Sequence, residues 1–424
     1  VKWLTADLPG TGGVCKSQPE DFRVDEVLLA PPSGAGAQLL IRVEKRGMST
    51  HEAVGHLCRA LRISERDVGY AGIKDARAVA TQWLSLPAGL EDRLDALDHP
   101  WLKVRERARH HAKLRTGELA GNRFEIVLRG VGDDALARAT AILAELARRG
   151  VPNWFGAQRF GTKGDSDRLG RALVRDEGDE ALAIYLGRPS PREHDPRIRA
   201  ARALFDEGRH QEAADAYPGR LRAEAAVLRA WLAHRDPVRA LARLPKRMRL
   251  LFLSAYQSSV FNRCLEARFG ESGRDFGRLL DGDVMVDHAS GRTSVVDDAA
   301  REQARADRFE ISAAGPLFGP GLLPARGAAA RLERVIFEAE ELDPEEGRQP
   351  FRDLHLRGER RAYRFALRDA EVAAHDHGLL LRFFLPRGCY ATNVVAEITK
   401  GADEVAADAA EAPESAEATG DRGE

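Results

Sequence analysis

Gly69-Tyr70-Ala71-Gly72-Ile73-Lys74-Asp75-Ala76-Arg77-Ala78-Val79-Ala80-Thr81-Gln82-Trp83 is the stretch on which the reading of this chain turns. Two glycines within four residues let the backbone turn tightly and approach another segment closely. Lys74, Asp75 and Arg77 then set a carboxylate between two cations. Neighbouring cations favour the ionised form of a carboxylate, which can serve as nucleophile or base at neutral pH. From Val79 onward Thr81, Gln82 and Ser85 mix with Trp83, Leu84 and Leu86, the pattern of a half-buried strand. Charge pattern alone equally admits a solvated turn with a surface ion pair. The flanking segments decide between the two.

Upstream, Glu20 to Leu28 alternates as a strand, with Phe22, Val24 and Leu28 sharing one face with Glu26. Residues 31–36 turn the chain, and Gln38 to Val43 read as the next strand. Ser49-Thr50-His51-Glu52 is a capping box that opens a helix with Ala53, Val54, Leu57 and Leu61 on its apolar side. Downstream, Lys103, Arg105, Arg107 and Arg109 fall on every second residue and on a strand would line one face. That stripe is either an edge strand guarded by charge or a surface that tracks phosphates. Gly121 to Arg129 is a further strand, and a helix from Asp133 to Arg149 is stopped by Gly150 and Pro152. Residues 151–161 read as a hinge, and 196–250 carry helical spacing rich in Ala, Arg and Leu. Leu379 to Leu385 is apolar enough for a central strand, and Tyr390 to Ile398 begins a last helix.

At 424 residues the chain is long for a single core and points to two domains. Its 65 bases and 66 acids conceal a split: residues 401–424 hold eight acids and one base, leaving 64 bases against 58 acids, or +6, for the remainder. A basic body admits an anionic partner. The acidic tail lacks large apolar side chains and is expected to be disordered. No run of about 18 apolar residues suggests a membrane span, and Val1 to Asp7 lack the apolar core of a secretory signal. The four cysteines form no CxxC pair, which fits a reducing cytoplasm better than a zinc site or disulfide scaffold. Neither a GxGxxG after a strand nor a Walker loop occurs, so no nucleotide cofactor is expected. His375-Asp376-His377 reads as a surface turn rather than a metal site.

Taken in order, these segments resemble the TruD family of tRNA pseudouridine synthases. The resemblance rests on Glu20-Asp21-Phe22 with Val24 and Glu26, Gly72-Ile73-Lys74-Asp75 through Thr81-Gln82, and Gly121-Asn122-Arg123-Phe124. Asn153-Trp154-Phe155-Gly156 with Gln158-Arg159-Phe160-Gly161, Ser254 to Asn262, and Leu385-Pro386 through Tyr390-Ala391-Thr392 complete it, over residues 19–400. Three departures stand out: Arg77 follows Asp75 after an alanine, 178–250 looks longer and more helical, and Tyr390 stands where many members carry phenylalanine.

The resemblance implies an α+β pseudouridine-synthase fold, its sheet mixed and mostly antiparallel, interrupted by an inserted α/β TRUD domain. Two lobes would then flank a cleft for RNA. The catalytic domain would comprise 1–152 and 360–400, the insertion 153–359, and the disordered tail 401–424. The implied activity is isomerisation of uridine to pseudouridine at position 13 of tRNA, by a cytoplasmic monomer with no cofactor and no metal. Asp75 would be the catalytic carboxylate, with Lys74 and Arg77 keeping it ionised or holding phosphate. Phe22, Phe124 and Tyr390 would offer aromatic faces to a flipped base, Asn122 would orient groups through its amide, and Arg105, Arg107 and Arg109 would contact RNA phosphates. Two rival readings keep the fold: a non-catalytic RNA-binding or remodelling protein, and the same chemistry on another RNA such as mRNA. A silent relative would be free to lose Asp75 and its cationic neighbours, which this chain retains.

Overall fold

A computed structural model of the chain describes residues 2–270, 276–343 and 353–401; the acidic tail lies outside them. The described residues divide into two compact units, one formed by 2–153 together with 364–401, the other by those within 154–363. No helix among the described residues is long and apolar enough to cross a membrane.

The first unit opens with β1 (Phe22–Leu28), β2 (Gln38–Arg46), α1 (Thr50–Leu61), β3 (Gly69–Tyr70), β4 (Val79–Pro87), β5 (Leu102–His110), β6 (Leu119–Arg129), α2 (Ala135–Arg149) and β7 (Val151–Pro152). The capping box forms as the sequence implies: Ser49 Oγ accepts from the Glu52 amide at 3.1 Å, and Glu52 accepts from the Ser49 amide at 2.7 Å. It starts α1 where Ala53, Val54, Leu57 and Leu61 can pack on Leu39, Ile41 and Val43 of β2 and on Leu84 and Leu86 of β4. The opposite face of the same two strands packs Leu40 and Trp83 against Leu114. β4 is therefore covered on both sides, and its Gln82 and Ser85 are fully buried rather than half-solvated. Ser85 Oγ compensates by accepting from the Leu114 amide at 2.9 Å.

The inserted unit supplies α3 (Ser166–Val174), α4 (Gly178–Leu186), α5 (Pro196–Asp206), α6 (His210–Ala216), α7 (Arg222–His234), α8 (Pro237–Leu241) and α9 (Lys246–Arg268). Leu169, Leu182, Phe205, Leu228 and Leu241 from these helices share one core with Phe252. β8 (Val284–Asp287), β9 (Thr293–Val295), α10 (Ala299–Asp307), β10 (Ile311–Leu317), α11 (Gly327–Ala339) and β11 (Glu359–Ala362) follow, the strands ordered β11-β10-β8-β9. Because β11 hydrogen-bonds to β10, residues 360–363 belong with the insertion, and the return to the first unit starts at Arg364.

That return provides β12 (Arg364–Phe365), β13 (Arg368–His375), β14 (Gly378–Pro386) and α12 (Ala391–Thr399). The main sheet has the order β13-β14-β6-β1-β4-β2-β5, with β3 also on β4. β1 and β4 run parallel, and the neighbouring pairs β1–β6, β2–β4 and β6–β14 are antiparallel. β14 is gripped by β6 from Gly378 opposite Arg129 to Pro386 opposite Gly121. At the closing end the buried Glu397 of α12 accepts from the Leu4 amide at 2.7 Å and from the Thr5 hydroxyl at 2.8 Å.

At the other edge, β5 corrects the expectation of a single basic face. The register slips between Arg42 and Val43 of β2, so that Val104 opposes Val43 and Glu106 opposes Arg42, leaving Arg105 as the extra residue of a bulge. An extra residue inverts the pleat phase. Lys103 therefore shares the phase of Glu44, whereas Arg107 and Arg109 share that of Ile41 and Leu39.

Candidate active site

Residues 71–78 run irregularly between β3 and β4, yet partners tie them down along their length. The Ala71 carbonyl accepts from the Gly117 amide at 2.8 Å, and the Ala78 carbonyl from the Gly47 amide at 3.1 Å. The Lys74 amide donates to the buried Thr50 hydroxyl at 2.9 Å, which in turn donates to Gln82 Oε1 at 2.9 Å. Lys45 Nζ, from β2, donates to the carbonyls of Met48, Lys74 and Asp75. At Gly72 a Cβ would lie 3.0 Å from Lys74 Nζ and 3.3 Å from Glu26 Oε2, so a larger residue would crowd that pair.

Asp75 presents its carboxylate to solvent, the side chain being 47% exposed, and accepts from Lys16 Nζ at 2.7 Å. Lys16 itself is 6% exposed. Its ammonium sits 4.4 Å from the centroid of the Phe22 ring, a cation–π contact, and its carbonyl accepts from Arg77 at 3.4 Å. Phe22 meets Phe124 edge-on at 5.8 Å, and Phe124 meets Phe383 of β14 at 5.5 Å. Two of the three aromatics expected at the substrate, Phe22 and Phe124, are thus nearly closed to solvent and form a floor under Lys16. Lys16 lies in the irregular start of the chain, where no periodicity marks it.

Lys74 departs from its expected place beside the substrate. Its side chain turns inward, 4% exposed, and pairs with Glu26 of β1, which is fully buried. The second Glu26 oxygen accepts from the Trp83 amide at 3.0 Å. Burial explains the choice: a carboxylate inside the sheet needs a cation and a donor, and Lys74 is the adjacent cation. Asn122 stands opposite Glu26 on β6 and opposite Leu385 on β14, and its Oδ1 is buried with no hydrogen-bond partner among the described residues. Tyr390 is the partly exposed N-cap residue of α12, just beyond the same end of β14.

Five further residues of the sequence pattern fall into ion pairs. Asp21 takes a forked contact from Arg129, with Nη2 at 2.7 Å and Nε at 2.9 Å. Burial is the largest single influence and pushes its carboxyl up, but the Arg129 hydrogen bonds, the Gln18 hydrogen bonds and the Arg129 charge together outweigh it and hold the carboxyl below the usual aspartate range. Arg46 lowers the Glu20 carboxyl in the same way, by a side-chain hydrogen bond. On β5, Arg105 pairs with Glu44 at 2.7 Å, Arg107 with Asp95 and Arg109 with Glu91.

The arrangement offers one solvent-facing carboxylate on a braced loop, an ammonium in direct contact with it, and an unsatisfied amide oxygen one strand over from the Glu26 carboxylate. The chain's similarity to known proteins bears on the same loop. The family model for tRNA pseudouridine synthase D (TruD) matches residues 1–398. A tRNA pseudouridine synthase D from Geobacter metallireducens is 42% identical over 401 residues, covering 94% of this chain and 98% of that protein. One of the same name from Anaeromyxobacter dehalogenans is 41% identical over 400 residues, covering 94% and 96%. A solved TruD structure from Methanosarcina mazei matches with a TM-score of 0.83 at 26% identity, over 95% of this chain and 96% of its own. A match that runs through both parts of the first unit and the whole insertion leaves one assignment: the chain belongs to the tRNA pseudouridine synthase D family.

Proposed function

We propose that the chain isomerises uridine to pseudouridine in tRNA, at position 13, with Asp75 as the reacting carboxylate. The C1′–N1 bond breaks, the uracil turns over, C5 joins C1′, and the proton leaving C5 is balanced by one gained at N1. Nothing is oxidised and no group is lost, so the reaction asks for no cofactor. The observation that carries the reading is the Asp75 carboxylate, open to solvent and held at 2.7 Å by a buried ammonium. Asp75 acts as nucleophile at C1′ or as base toward a sugar proton. Lys16 holds its charge in place. Asn122 Oδ1, an acceptor without a donor, suits the N3–H of a uracil base. Tyr390 would stack on the extruded base or its neighbour, since its ring is more open than those of Phe22 and Phe124. Arg105, Arg107 and Arg109 would add outer phosphate contacts by exchanging carboxylate for phosphate.

The test is Asp75→Asn, which keeps shape and removes charge. Release of the C5 hydrogen from tRNA transcripts should slow by several orders of magnitude, as when a nucleophile is lost, with RNA affinity changed by no more than about threefold. A rate within about tenfold of wild type would take Asp75 out of this role. Mapping pseudouridine in total RNA, with and without the protein, tests position 13 against other RNA targets.

A further inference from the structure

Lys45 is fully buried, in the inward phase of β2 that also carries Val43, Ile41 and Leu39. An apolar side chain would fill that position without the cost of taking an ammonium out of water. What the ammonium supplies is three donors, and three carbonyls take them: Met48, directly before the N-cap of α1, Lys74 at 3.1 Å and Asp75 at 2.9 Å.

The last two carbonyls have a particular relation. The Lys74 oxygen belongs to the peptide plane that precedes the Asp75 Cα, and the Asp75 oxygen to the plane that follows it. A peptide unit is rigid, so two soft dihedrals per residue decide where a side chain projects. Binding both oxygens to one nitrogen constrains both dihedrals of Asp75 together. The third carbonyl anchors that nitrogen to the start of α1, whose apolar side is packed into the core. Lys16 acts differently, because it meets the carboxylate itself, and that contact must change when the carboxylate reacts. The three carbonyl contacts of Lys45 are to main chain and need not change.

We propose that Lys45 is a positioning residue for the reaction: its ammonium holds both peptide planes flanking Asp75 and thereby sets the direction of the carboxylate, without touching RNA. The proposal rests on the reading of Asp75 as the reacting group.

Lys45→Met keeps most of the volume and removes the three donors. Leu57→Ala, in the apolar cluster that α1 forms with Leu39, Ile41 and Val43, serves as the stability control. Single-turnover rates on a tRNA transcript are expressed per folded molecule, beside tRNA affinity and amide exchange of residues 72–78 by mass spectrometry. Lys45→Met should lose about a hundredfold in rate, the size expected when a reacting group is misplaced by about 1 Å. Its Kd for tRNA should stay within about threefold, and exchange in 72–78 should quicken by at least about tenfold. Leu57→Ala should leave the rate per folded molecule within about threefold. A Lys45→Met rate no lower than that control, or unchanged exchange in 72–78, overturns the proposal. Should Lys45→Met fail to fold, wild type decides: this irregular segment must be protected by at least about a hundredfold over free chain, and free exchange would overturn the clamp. If wild-type protein forms no pseudouridine while exchange behaves as expected, the reaction assignment falls and the clamp stands.

Discussion

Replacing Glu26 by Gln leaves the Lys74 ammonium where it is, inside the sheet, without its counter-charge. The two side chains are 0% and 4% exposed, so neither end of the pair is relieved by water. Removing one partner of such a pair costs about 3–5 kcal/mol, against at most about 1 kcal/mol for a solvated one. At about 1.4 kcal/mol per tenfold, this multiplies the unfolding constant by roughly two to three and a half powers of ten. Lys74→Met should cost a similar amount by stranding the carboxylate. The double variant Glu26→Gln/Lys74→Met strands no charge, and Gln still offers an oxygen to the Trp83 amide, so it should be less damaged than either single change. The coupling energy of the cycle should reach at least about 2 kcal/mol. Urea midpoints followed by tryptophan fluorescence measure all four corners, with tRNA affinity taken alongside. Two small, additive losses would refute the buried-pair argument. A Lys74→Met protein of normal stability whose tRNA affinity fell tenfold would put that ammonium on the substrate after all.

Tyr390→Phe should keep kcat/KM within a factor of about five, because the ring face is retained, whereas Tyr390→Ala should lose roughly five- to a hundredfold, the value of stacking on one base. A Phe variant as impaired as the Ala one would assign the work to the hydroxyl; melting temperatures of both separate folding from turnover. Arg105→Ala with Arg107→Ala should flatten the log–log salt dependence of tRNA binding by no more than about one unit, since each guanidinium already holds a carboxylate. A change near two units would mean that both ion pairs open fully onto phosphate. Asp21→Asn should reduce the acid sensitivity of the first unit. The depressed Asp21 carboxyl contributes stability above its unfolded pKa that is lost as pH falls through the folded value, so wild-type urea midpoints should fall more steeply below about pH 4 than those of the variant.

Where local rules act on contiguous residues, the sequence was readable. Alternation in β1 placed Phe22, Val24 and Glu26 on one face, and Ser49 with Glu52 marked the first turn of α1. A carboxylate in that inward phase already implied a buried cation, although not which one. Lys74 and Asp75 are neighbours along the chain and project to opposite environments, a distinction that charge spacing does not carry. Lys45 left a trace, since it falls in phase with Leu39, Ile41 and Val43, and a charge in that phase is an anomaly that calls for buried acceptors. Lys16 left none, because its place depends on a chain start without repeat. The bulge at Arg105 was equally silent: one surplus residue changes which side chains share a face, yet the spacing of the bases is the same with or without it.

The pairing of β6 with β14 also sets a timetable. During synthesis β6 emerges with β1 on one side, while its other partner lies more than two hundred residues further along the chain. At roughly 5–20 residues per second, that interval lasts about 12–50 s. Throughout it the strand bearing Phe124, Ile126 and Leu128 offers an unpaired backbone edge to any passing chain. The ribosome must deliver the whole insertion before that edge can close, and the last ten residues of the described chain bring the Glu397 latch that fastens the start of the molecule to its end. Production of this protein is therefore exposed to aggregation by its translation schedule, and slowing synthesis within the insertion should lower soluble yield without altering the stability of what does fold.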